Sequence, residues 1–138
     1  MMSTMTAAEK ADLYLEDRIS DLTSQVEEFA RDVAKSAAAP DFTLIGQTIQ
    51  NGAKKAIVAE ARLMVANRVL RAAAQDGLIG AAEVADRLAE KLWAAANRYD
   101  PTAQPASVVA GAMDAVQVVA NLRAADEARG LARILRAL

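Results

Sequence analysis

Apolar residues return in steps of four and three along almost the whole chain, and that spacing fixes what it can fold into. From Leu15 they recur at Ile19, Leu22, Val26, Phe29, Val33 and Ala37. Steps of this size keep side chains on one face of an α-helix, whereas a half-buried strand needs strict alternation. The rhythm resumes at Ile45, Ile49, Gly52, Ala56, Ala59, Leu63, Ala66, Leu70 and Ala73, with Ile57, Val58, Met64, Val65 and Val69 widening the face. A third run takes in Ala81, Ala85, Leu88, Leu92, Ala95 and Tyr99. A fourth takes in Val109, Met113, Val116, Ala120, Ala124, Ala128, Leu131, Leu135 and Leu138.

Punctuation between the runs sets the boundaries. Thr6 followed by Glu9 reads as a capping box opening the first helix, and Pro40-Asp41 closes it. Asp76-Gly77 is a turn signal in which glycine can take positive φ, and Asp100-Pro101 ends the third run. Pro105 suits the first turn of the last helix. The expected helices are 7–38, 42–75, 80–99 and 105–137 of one domain spanning 1–138. In the fourth, successive steps of four from Val116 shift the seam near Arg123, and Gly130 weakens the helix, so a bend or break between them is expected. Short connections favour antiparallel neighbours, which makes the expected fold an elongated, all-α, up-down four-helix bundle.

What fills the seams is unusual. Close to a quarter of the 138 residues are alanine, while Leu, Ile, Val and Phe together number 32. Small seam residues let helices approach closely, so dispersion from the backbone must replace side-chain bulk. Burying further helix faces against another chain would be a second compensation.

Missing residue types narrow the chemistry. The chain has no histidine and no cysteine, which removes Ser-His-Asp and Cys-His catalysis, thiol redox chemistry, the usual zinc sites and the Glu-x-x-His pairs of di-iron bundles. An enzyme would have to work with Arg, Lys, Glu, Gln and Ser, and no set of these converges in the sequence. No catalytic residue, cofactor or metal is therefore expected. Gly46 and Gly52 before Lys54 imitate a phosphate loop, but the spacing is wrong and no strand precedes it. Asp76-Gly77 lacks the upstream oxygen ligands of a calcium loop, where Ala72, Ala73 and Ala74 stand instead.

Net charge is −2 overall: −4 over residues 1–40, +2 over 41–78, −1 over 79–100 and +1 over 101–138. No segment has the basic excess of a nucleic-acid binder. Arg129, Arg133 and Arg136 form a stripe that could contact an anion, although cations near a helix C-terminus are also favoured by its dipole. Glu83, Asp86 and Glu90 beside Arg87 and Lys91 read as a solvated mixed-charge face. Neither a basic, apolar leader nor a run long enough for a membrane span occurs, which points to the cytoplasm, with export by a signal-less route looking the same from sequence.

Three features are candidate partner surfaces. Trp93 lies off its seam, and an exposed Trp is a common contact residue. Ser107, Gly111, Asp114, Gln117 and Asn121 make a small polar stripe on the fourth helix, and Leu131, Ile134, Leu135 and Leu138 cluster at its end. The function expected is protein–protein contact or self-assembly as a homo-oligomer, the alternative a small adaptor or inhibitor of one target protein, and a nucleic-acid role ranks last.

Overall fold

The computed structural model describes residues 4–37, 42–98, 100 and 108–138, the side chains of 36–37, 42–52, 108–110, 112 and 113 excepted. Among them there is helix and no strand. Three helices follow in order: α1 (Ala7–Ala37), α2 (Phe42–Asn97) and α3 (Val108–Ala137).

The start of α1 follows from the Thr6/Glu9 pair. The Glu9 backbone N–H donates to Thr6 Oγ1 at 3.1 Å, and the Thr6 hydroxyl donates to Glu9 Oε1 at 3.1 Å. One otherwise orphaned helix donor is satisfied this way. At the other end, Lys35 stands in the last turn, where the helix dipole favours a cation. The stops expected at Pro40 and Pro101 and the first-turn role of Pro105 lie outside the described residues.

Helix α2 departs from the expected plan. The expected third helix over 80–99 is not set off from the second by a loop: α2 runs for 56 residues and holds two helical arms that meet in a kink at one non-helical residue, Gly77, at φ 74° and ψ −172°. That region of backbone space is nearly closed to residues with a Cβ. A single residue there is enough to turn the chain back. Val119 and Arg123 of α3 border both Val58 and Arg62 of the first arm and Trp93 of the second. Arg62 and Trp93 would stand about 45 Å apart on a straight helix. The turn is tight: a Cβ on Gly80 would sit 2.4 Å from the Cβ of Asp76, where neighbours one turn apart in a regular helix keep about 5–6 Å.

The two arms of α2, 42–76 and 78–97, form the hub on which α1 and α3 pack. At one end Ala7 lines a groove with Leu78 and Leu135; towards the other, Phe29 lines one with Lys55 and Val58. Helix α1 therefore runs antiparallel to the first arm, and α3, which sets Arg136 beside Asp86 and Asp126 beside Trp93, runs antiparallel to the second.

Alanine dominates the core: among the described residues, fourteen of the twenty-one buried apolar side chains are alanine. The largest fully buried side chains are Leu15, Leu22, Leu131, Val65 and Val69. No polar or charged residue is buried among the described residues, so the interior rests on dispersion and the hydrophobic effect without internal hydrogen-bond networks. The seam is wider than periodicity suggests, taking in Ala82, Ala89, Ala125 and Ala132 one position beyond it. That width accounts for the course of α3. Helix α3 passes from Arg123 through Gly130 without a break, because it faces both arms of α2 and its apolar stripe can drift from one to the other. Met64, expected to widen the buried face, is exposed.

Candidate functional site

Trp93 is half exposed, at 50%, and Leu122 beside it is 39% exposed. With Val119 and the charged residues Arg123, Asp126 and Arg129 they line a shallow groove of about 400 Å³ between the second arm of α2 and α3. Trp93 is legible in the sequence as an off-seam aromatic. Leu122 is not singled out there, although the same signal marks it: it falls between the seam positions Ala120 and Ala124.

The other candidate surfaces divide. Leu131 and Leu135 turn into the core of their own chain, 1% and 3% exposed. Ile134 is half-buried, while Leu138 is exposed and joins Ile79, among the described residues the most exposed large apolar side chain at 78%, beside a second groove at the Gly77 end. Of the polar stripe, Ser107 lies outside the described residues, Gly111 and Asn121 are half-buried, and Asp114 and Gln117 are exposed. The Gln117 amide donates to Asn121 Oδ1 at 3.0 Å, which ties the stripe to itself.

The arginine stripe is largely committed to acids. Arg129 lies 3.5 Å from Asp126 one turn away, and Arg136 pairs with Asp86 across to the second arm of α2. Hydrogen bonding from Arg136 holds the Asp86 carboxyl below its ordinary value, and Asp86 raises the Arg136 guanidinium in return. Arg133 is exposed. Helices α1 and α3 are tied directly by Arg18, whose Nε donates to Glu127 Oε1 at 2.9 Å and to Oε2 at 3.2 Å while a terminal nitrogen also reaches Oε1. Those hydrogen bonds raise the Arg18 guanidinium further above its already high ordinary value.

A larger groove, about 510 Å³, opens where all three helices meet. Lys54, Lys55 and Arg62 reach it from α2 and Arg123 from α3, over a floor that includes Phe29, Val58 and Val119. Lys55 Nζ sits 5.9 Å from the centre of the Phe29 ring, within cation–π reach. Phe29, placed on a seam by its spacing, is thus a half-buried groove wall. Sequence reading notes these cations but not their meeting, since that depends on α3 returning alongside the first arm of α2.

Comparison with protein-family models, curated proteins and solved structures gives no match. Among the described residues no cluster of acids could hold a metal ion, and no helix is long and apolar enough to cross a membrane.

Proposed function

We propose that this chain is a non-catalytic contact protein that pairs with a second copy of itself through the face carrying Trp93 and Leu122. In this reading α1, the two arms of α2 and α3 act as the four members of an up-down-up-down bundle with alanine-lined seams, and the bundle presents one apolar face for docking. The observation that carries it is the adjacency of two large, half-exposed apolar side chains. A buried aromatic anchor of this kind supplies most of the energy of many interfaces.

One further point favours a second copy as the occupant. Arg123 and Arg129 flank the patch together with Asp126, so a copy related by a two-fold axis can set arginine against aspartate in both directions, as a self-complementary contact requires.

Trp93 is the single tryptophan, so its emission reads the proposed contact directly. Light scattering at tens of micromolar should give twice the chain mass, dilution should shift the emission to the red, and Trp93→Ala should be monomeric with unchanged helix content. A stable monomer whose emission ignores concentration overturns pairing and leaves the same face to a different protein.

A further inference from the structure

The groove at the meeting of α1, α2 and α3 gathers positive charge that the chain as a whole does not have. Lys54, Lys55, Arg62 and Arg123 line it and, among the described residues, no acid does, in a protein of net charge −2. Its acidic first helix lies alongside, yet contributes Gln25 and Phe29 to the lining. Lys54, Lys55 and Arg123 are exposed and can be solvated. Arg62 is different: its Nε is buried and makes no hydrogen bond. A buried donor without an acceptor costs stability, and native structures rarely leave one. With three more cations beside it, the acceptor that suits this guanidinium is an anion.

The walls define the rest of the ligand. Phe29, Val58, Ala59 and Val119 give the groove an apolar side, and its volume falls within the range of about 300–1,000 Å³ typical of small-molecule sites. Four cations around one space favour a multiply charged head group over a single carboxylate. Guanidinium groups match phosphate oxygens in geometry, and lysines add point charges. We infer that this groove binds a small organic phosphate, its head group accepting hydrogen bonds from Arg62 and its apolar body lying against Phe29 and Val119. The site is separate from the pairing face proposed above in its deciding residue, since Arg62 does not line the Trp93 groove.

The test is calorimetric titration of the full chain with 1-naphthyl phosphate, with inorganic phosphate and 1-naphthol as the two halves of the ligand. The expected result is saturable one-to-one binding that weakens as salt is raised, with inorganic phosphate binding at least tenfold more weakly and 1-naphthol not at all. Arg62→Gln should weaken binding tenfold or more, and Lys54→Gln, an exposed change that leaves the fold intact, severalfold. Circular dichroism of both variants verifies that the helices persist. Equal binding of 1-naphthol, or undiminished binding by a folded Arg62→Gln variant, overturns the inference. So does a DNA oligonucleotide that binds where naphthyl phosphate does not, because the cations would then be a polymer-tracking patch.

Discussion

Three glycines, at 77, 80 and 130, have different energetic meanings, and only one of them creates the fold. Gly77 sits in a backbone region reserved for glycine, with nothing within 4 Å of where a Cβ would go. The cost of a side chain there is torsional, not steric. Gly77→Ala should therefore lower unfolding free energy by about 1–3 kcal/mol. Gly130 is inside regular helix with open space around it, so Gly130→Ala should raise stability by about 0.5–1 kcal/mol. Urea unfolding of the two variants checks both, and shifts of the same sign would contradict the assignment. Asp76-Gly77 is readable in the sequence as a stop, and positive φ is readable with it. The tightness of the turn is not, because it depends on Gly80 leaving room for the Asp76 side chain, a contact that only the folded reversal creates.

At the scale of elements, periodicity says which face of a helix is buried and leaves open what lies opposite. The seam positions Leu15, Leu22, Ala66, Ala85, Ala124 and Leu131 are all buried as their spacing implies. Yet the ion pair across from acidic α1 goes through its basic Arg18 to an acid on α3, a pairing that segment charge does not suggest. The Glu127 side chain is 8% exposed and that of Arg18 27%, and this asymmetry sets the expected cost of breaking the pair. Arg18→Met strands a nearly buried carboxylate and should cost about 1–3 kcal/mol. Glu127→Gln leaves a guanidinium that water can reach and an amide that still accepts, and should cost about 1 kcal/mol or less. Thermal unfolding of the two variants distinguishes them, and a larger loss for Glu127→Gln would show that the carboxylate is better hydrated than its burial implies.

The pair between Asp86 and Arg136 is more exposed and its contribution correspondingly small. Its pH dependence has a definite sign. Hydrogen bonding lowers the Asp86 carboxyl in the folded chain, so its stabilisation is present above the unfolded value of about 3.9 and is lost as pH falls through the lower folded value. Urea midpoints of the parent and Asp86→Asn should differ slightly at pH 7 and converge towards pH 2, and the difference at pH 7 should shrink in molar salt. A gap that survives acid would place the effect of Asp86→Asn elsewhere than in this pair.

On the scale of the whole molecule, a core built mainly of alanine sets the terms of stability. An alanine buries little area, and an interior of alanines holds only while the backbones stay close. Any arrangement that covers more apolar surface is therefore worth proportionally more here than in a leucine-rich bundle, and the exposed Trp93 and Leu122 offer that cover. If pairing supplies it, folding and association are linked, and the melting temperature must rise with protein concentration, because mass action favours a folded state that binds its own copy. Calorimetric scans across a hundredfold concentration range should show that rise in the parent chain and a flat response in Trp93→Ala, whose midpoint should match the dilute parent once the lost intramolecular contacts of one half-exposed side chain are allowed for. Gly77→Ala should keep the concentration dependence, since it strains the turn and leaves the pairing face untouched. A flat response in the parent would mean that the alanine seams are sufficient alone, and that close approach of the helices within one chain already stabilises the fold.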